Sequence, residues 1–404
     1  MRCLSLALLF ALTLPEAATA QTAAAPRPAV GVGRLDSLQS NTLHEMRRLL
    51  IYTPPSYDSS RYVPERYPVL YLLDGDAHFQ SVAGLMQILS TGVNGSYVIP
   101  PMIVVGIPNT NRMRDLSPTP SEYGVDGKSI EPSFKGSGGG AAFLRFVKDE
   151  LIPHIDSTYR TDGYRMLIGH SLGGLMVIDA LYTMPETFNA YVAIDPSLWW
   201  DRQVLLKQAK PYFEQPGLAG RTLFVGQANT ISATDTTVNL HYNSILEFNA
   251  VLQAYNRSGI RYDYQFFPDD DHGSVPMIAE YDALREIFAG YHVDVVRGLD
   301  DPTYFTMHFA EISRRLGVTM RAPEAMVDQL ATYALTRDTT QALALLQLNA
   351  DNYPDSPHAF TALGDAAETH RETARALAAF RRVLQLAPSD AHARQEEKAL
   401  GTQR

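Results

Sequence analysis

The six residues Gly169-His170-Ser171-Leu172-Gly173-Gly174 constrain this chain more than any other stretch. They follow an apolar run, Arg165 to Ile168, that reads as a short buried strand. They precede Leu175 to Tyr182, which reads as a helix. A G-x-S-x-G placed between a strand and a helix is the pattern of a nucleophile elbow. Small residues are needed there because the serine sits on a sharp, strained turn with no room for flanking side chains. The turn exposes the Ser171 hydroxyl and aims the next backbone N–H, that of Leu172, at the same point. The motif alone recurs by chance in long chains, so its weight comes from the strand before it and the helix after it.

The surroundings repeat that alternation. Strands are predicted at 45–53, 67–73, 101–107, 165–169, 190–194, 221–226 and 261–267. Helices are predicted at 80–90, 141–157, 172–183, 203–213, 239–258 and 276–291. Several strands are continuous apolar runs, as expected of strands buried on both faces of a parallel sheet. Strands alternating with helices give an α/β fold with a doubly wound, mostly parallel sheet. Beyond about residue 295 the strand-like runs stop, and Ala, Leu, Arg and Gln recur at helical spacing. Pro354 and Pro388 lie 34 residues apart. Phe360, Leu363, Gly364, Ala376 and Phe380 lead to the second proline as Met326, Tyr333, Ala342 and Leu346 lead to the first. That interval is the tetratricopeptide period, in which large residues on one helix mesh with small ones on the next. Two units are fewer than usually stand alone. The expectation is a small all-α tetratricopeptide-like domain packed on a helix at 303–316 and on the α/β domain; an unrelated helical tail is the plainer alternative.

The N-terminus has the order of a signal peptide: Arg2, an apolar stretch from Leu4 to Leu14, and Ala18-Thr19-Ala20 before Gln21. The apolar stretch is too short to anchor the chain across a bilayer. Cys3 is the single cysteine and would leave with this segment. The mature chain would then have no thiol for a disulfide, a nucleophile or a metal. The expected organisation is a signal peptide at 1–20, an Ala/Pro-rich leader at 21–32, a catalytic domain at 33–295 and a helical domain at 296–404, in a periplasmic or secreted protein. A net charge of −10 argues against nucleic acid as a partner, because a polyanion needs a basic surface.

A serine hydroxyl is a weak nucleophile until an imidazole removes its proton. Of the 11 histidines, His272 sits in the loop after the strand 261–267, in Asp269-Asp270-Asp271-His272-Gly273-Ser274. A histidine after the last strand is where the general base of a nucleophile-elbow enzyme belongs. Three consecutive aspartates rarely converge on one ion, so no metal and no cofactor is expected. The oxyanion hole needs two N–H groups. One is that of Leu172, and the other is assigned to Asp76, in the loop after the strand ending at Leu73. Gly136 to Gly140 lacks the Lys-Ser/Thr of a phosphate cradle and reads as a flexible loop.

Six stretches carry a resemblance: Pro68 to Asp76, Asn111 to Pro118, Glu150 to Pro153, Ile168 to Leu175, Pro196 to Trp200 and Asp271 to Pro276. Together they resemble the esterase D-like family of α/β-hydrolases, nearest the branch that holds siderophore trilactone esterases. The resemblance covers roughly residues 35–292 and implies an α/β-hydrolase fold, a Ser171–His272 pair and ester cleavage on a small-molecule substrate. It also leaves a gap. Relatives often carry Glu shortly after the glycine of the strand 221–226, where this chain has Gly226-Gln227-Ala228-Asn229. Asp235, further along that loop, is the carboxylate expected to complete a triad. Asn229 could orient His272 without balancing its charge, Glu247 is a weaker candidate in a helix, and a Ser–His dyad is the alternative. Trp199 and Trp200 are expected to wall the acyl pocket or to pack the core. Arg112 is expected to pair with Asp115 in a loop near the site or to meet substrate. Acyl transfer to an alcohol or sugar fits the same scaffold. So does an interaction protein that meets a protein partner through its helical repeats and keeps only a vestigial hydrolase domain.

Overall fold

The structure, a computed structural model, describes residues 31–91, 97–126, 128–231 and 239–402. The expected signal peptide and most of the leader lie outside the described residues, as does Asp235. Eight strands form one sheet: β1 (Arg34–Ser40), β2 (Glu45–Tyr52), β3 (Tyr67–Leu73), β4 (Ile103–Ile107), β5 (Thr161–His170), β6 (Ala190–Ile194), β7 (Thr222–Ala228) and β8 (Arg261–Phe267). Their order is β1-β2-β4-β3-β5-β6-β7-β8. From β4 to β8 every pairing is parallel, while β2 is antiparallel to both β1 and β4. This is the doubly wound α/β-hydrolase sheet. The expected runs at 67–73, 190–194 and 261–267 coincide with strands residue for residue.

The strand β1 was not expected, and its physics explains why. Of its seven residues only Ser40 is buried, and Leu35 is 76% exposed. An edge strand with one neighbour needs no apolar run. β3, β4 and β6 are the opposite case, buried at every position. Alternate residues of these strands feed two cores. Val69, Tyr71, Leu73, Val105, Leu167 and Tyr191 face the helices Gly140–Phe146, Leu172–Thr183, Leu206–Phe213 and Leu240–Tyr255. Leu70, Leu72, Val104, Ile168, Val192 and Phe224 face the helices Gly75–Thr91 and Val275–Ile287.

That second core runs on without a break into the C-terminal helices through Phe288, Tyr291, Phe305 and Phe309. Beyond the helix Thr303–Leu316 come two helical hairpins, Glu324–Leu335 with Thr339–Asn352 and Pro357–Thr369 with Thr373–Leu386, followed by Ala391–Gly401. Large meets small between the helices, as the 34-residue interval implies. A Cβ on Gly364 would lie 2.8 Å from the Phe380 ring. Polar contacts tie the hairpins to the α/β region. Tyr62 donates to Asp328 at 3.1 Å, and Glu65 lies 3.3 Å from the Tyr353 hydroxyl. Among the described residues no helix is long and apolar enough to cross a membrane.

Candidate active site

Three neighbouring parallel strands, β3, β5 and β6, are each followed directly by a non-glycine residue with positive φ: Asp74 (52°), Ser171 (60°) and Asp195 (41°). Such backbone is uphill for a residue with a Cβ, and it gathers at functional sites. Here it turns three polar side chains together at one edge of the sheet. The elbow is closed by near-contact of two glycines. A Cβ on Gly169 would sit 2.4 Å from the Gly173 carbonyl, so only glycine lets strand and helix meet there. Ser171 donates its N–H to the Ile194 carbonyl at 3.0 Å, and its own carbonyl receives Leu175 and Ser197. The serine is therefore fixed by backbone on both sides, with its side chain free to react.

His272 stands between the serine and a carboxylate. Its Nε2 is 3.0 Å from Ser171 Oγ, and its Nδ1 is 2.5 Å from Asp195 Oδ2. An ionised carboxylate can only accept, so Nδ1 carries the hydrogen and Nε2 is free to take the serine proton. Asp195 is fully buried. Burial pushes its carboxyl up, but hydrogen bonds from His241 and His272, with the Ala228 N–H, outweigh burial and hold it well below the usual carboxylate range. The loop bearing His272 is set by its own aspartates: Asp271 accepts from the N–H groups of Gly273 and Ser274, and Asp270 accepts from the Ser274 hydroxyl. Those aspartates build the turn.

Among the described residues the carboxylate on His272 is thus Asp195, directly after β6, while the expected Asp235 lies outside the described residues. Asn229 does not touch the imidazole in its hydrogen bonding: its Nδ2 goes to the Pro268 carbonyl and its N–H to that of Asp270, so it braces the His272 loop. Glu247 is exposed on its helix. The sequence does carry a signal for Asp195. A fully buried strand, Ala190–Ile194, ends directly in Asp-Pro, one strand over from the nucleophile. The resembling stretch Pro196 to Trp200 begins one residue too late to include it.

Leu172 opens the helix Leu172–Thr183, so its N–H has no carbonyl one turn earlier to bond. Asp76 lies in the first turn of Gly75–Thr91, where the ladder begins with Ala77 and His78 donating to the Asp74 carbonyl. The N–H of Asp76 precedes that ladder, and β3 runs beside β5, so both expected oxyanion donors belong to the same edge. Asp74 fixes this corner. It receives Arg112 through Nε at 2.7 Å and Nη2 at 2.9 Å, and Asn109 at 2.7 Å. Arg112 therefore pairs with Asp74 and not with Asp115, which is held by Arg47 and Arg114 at 2.6 Å each. The expected tryptophan wall divides in the same way. Trp200 is 0% exposed and gives its indole N–H to the Thr119 carbonyl, which makes it core and removes it from the pocket. Trp199 is half-buried, its ring tilted against those of Trp200 and Phe134.

Two further imidazoles border the site. His170, next to Ser171, has its ring 4.5 Å from that of His272. Burial pushes it down to about 4, with His272 and His78 adding to the effect, so it is neutral near pH 7. His241, in the first turn of Leu240–Tyr255, reaches Asp195 Oδ2 at 2.8 Å. Asp195, His241 and His272 form a group with ligand atoms within 4.8 Å of one another. Hydrogen bonds to the shared Oδ2 account for that convergence.

The family profile described as "Putative esterase" matches residues 40–223. The crystal structure of an IroE-like serine hydrolase from Shewanella oneidensis is 32% identical, with a TM-score of 0.71, and is matched over 79% of this chain and 99% of its own. The chain belongs to this esterase family. It is a carboxylic-ester hydrolase. Ferri-bacillibactin esterase BesA of Bacillus subtilis is 28% identical over 271 residues, which span 64% of this chain and 89% of that protein. An uncharacterised protein from Capnocytophaga ochracea is 16% identical but covers 91% of this esterase with a TM-score of 0.56, a likeness of fold alone.

Proposed function

We propose that this esterase is an exported serine hydrolase that opens siderophore-type esters through an acyl-enzyme on Ser171. The observation that carries the reading is the relay Ser171 Oγ–His272 Nε2–Nδ1–Asp195 Oδ2, at 3.0 and 2.5 Å. In the first half-reaction Ser171 Oγ attacks the ester carbonyl while its proton passes to His272 Nε2. The buried charge of Asp195 stabilises the imidazolium. Negative charge on the carbonyl oxygen falls to the N–H groups of Leu172 and Asp76. The intermediate collapses as His272 returns the proton to the leaving alcohol. Water, deprotonated by the same imidazole, then releases the acid and restores Ser171.

The substrate class rests on what the relatives are named for, ferri-bacillibactin in the case of BesA. Purified enzyme should hydrolyse ferric and iron-free trilactone siderophores with kcat/KM at least about tenfold above p-nitrophenyl butyrate, the margin that substrate-specific transition-state contacts give. Faster turnover of simple aryl or feruloyl esters would assign it another ester. Export rests on residues 1–20 and is tested by the N-terminus of the protein recovered outside the cytoplasm, expected at Gln21.

A further inference from the structure

A catalytic acid needs one imidazole, and Asp195 has two. Its Oδ2 accepts His272 Nδ1 at 2.5 Å and His241 Nε2 at 2.8 Å, while Oδ1 accepts the Ala228 N–H at 3.0 Å. The two rings stand perpendicular, at 89°, with centroids 5.2 Å apart. Because the carboxylate only accepts, both ring nitrogens point hydrogens at the same oxygen. His241 is mostly buried and is carried by a different element from either the acid or the base.

We propose that His241 is a positioning residue of the triad, which holds Oδ2 in line with His272 and takes up part of the charge that would otherwise fall on His272 alone. The proposal rests on the Ser171 acyl-enzyme reading. Three donors share one negative charge in a buried site, so each is stabilised less than it would be alone. Among the described residues the other groups facing the pair are few. His170 comes from β5, with His78 behind it, and Asp271 comes from the His272 loop. From β8 comes Tyr264, whose hydroxyl donates to Gln227 at 2.6 Å. Among these, Asp271 is solvated and His170 is neutral near pH 7, so of the described residues His241 is the group placed to alter the field of Asp195 at His272.

The consequence has a definite sign. Without His241 the whole carboxylate charge acts on His272, imidazolium is favoured, and the base is lost at a higher pH. A loosened Asp195 would do the reverse. We therefore expect His241→Phe, assayed on p-nitrophenyl butyrate from pH 5 to 9, to move the acid limb of kcat/KM upward by about half a unit or more. At pH 7 the rate should fall by up to about threefold for each half unit of that shift with KM changed less than about twofold, the size expected when a base is displaced from its working pH. His241→Gln, which keeps a donor within reach of Oδ2, should restore the limb and most of the rate. If the Phe variant does not fold, His241→Asn, too short to reach Oδ2, carries the same expectation. An acid limb that stays at the wild-type pH, or moves down, overturns the proposal. Ser171→Ala run in parallel separates the two readings: activity retained there overturns the nucleophile itself, whereas an inactive Ser171→Ala beside an unaltered His241→Phe overturns only the role of His241.

Discussion

At the C-terminal edge of the sheet, Asp74, Ser171 and Asp195 sit in strained backbone with polar side chains turned together. In the helices beyond Thr303 the pattern is inverted. Backbone there is mostly regular helix, and most buried side chains are Leu, Phe, Ala and Val in contact with one another, with Glu324, Asp328, Asn349 and Ser356 the buried polar exceptions. The two regions share a core but answer to different demands. The edge holds charges and donors in positions that a relaxed chain would not choose, which is what preorganised catalysis requires. The helices maximise close packing, which is what a long apolar face of the sheet requires. Substitutions at the edge should therefore change rate and leave the fold alone, and substitutions in the helices should do the reverse.

The largest separation is expected for Ser171→Ala. Loss of the nucleophile should lower kcat by about 10^5-fold or more and abolish fluorophosphonate labelling, with the melting temperature unchanged. Covalent labelling elsewhere with activity retained would break the comparison at its catalytic end. At the other end, Phe380 fills the space over Gly364. Phe380→Ala should cost about 3–5 kcal/mol in urea unfolding, from lost burial plus the cavity left behind. Turnover of p-nitrophenyl acetate below the unfolding midpoint should remain within about twofold, since the helices supply no catalytic group. A folded variant with collapsed kcat would mean the two regions are coupled.

Glu280 lies in sequence between the two regions and sharpens the contrast. It lies on Val275–Ile287, directly after the His272 loop, almost fully buried, with His78 at 3.7 Å. Burial pushes its carboxyl up to about 8. Above the ordinary glutamate range the unfolded chain loses this proton while the folded chain keeps it, so stability declines as pH rises toward 8. Glu280→Gln removes that penalty. The variant should match the wild type near pH 4 and be about 1–3 kcal/mol more stable at pH 8, a fraction of the full cost of an unpaired buried carboxylate. Equal stability at both pH values would show that Glu280 is solvated.

What could be read from the sequence follows from the same contrast. Continuous apolar runs such as Tyr67–Leu73 and Ala190–Ile194 were legible because burial on both faces leaves only one reading. Ser171 and His272 were legible as candidates because each sits at a fixed place relative to a strand. Asp195 was passed over because the acid was sought after β7; the end of a buried strand marks its position, but the Asp-Pro pair alone does not say that the chain turns it inward toward a histidine 77 residues later. His241 was invisible for a related reason: it is one polar residue at the start of a helix, and its partner is set by tertiary packing. Trp199 and Trp200 are neighbours in sequence, yet a tight turn buries one completely and leaves the other at the surface of the core. Backbone direction within loops decides such cases, and periodicity does not encode it.

The central claim is that the triad is Ser171–His272–Asp195, and paired acid substitutions test it most directly. We expect Asp195→Asn to lower kcat for p-nitrophenyl butyrate by about 10^4-fold with the fold intact, the loss typical of a true triad acid. Asp235→Asn, measured beside it, should stay within about threefold of wild type. The opposite outcome, near-normal turnover in Asp195→Asn and a collapse in Asp235→Asn, would contradict the account.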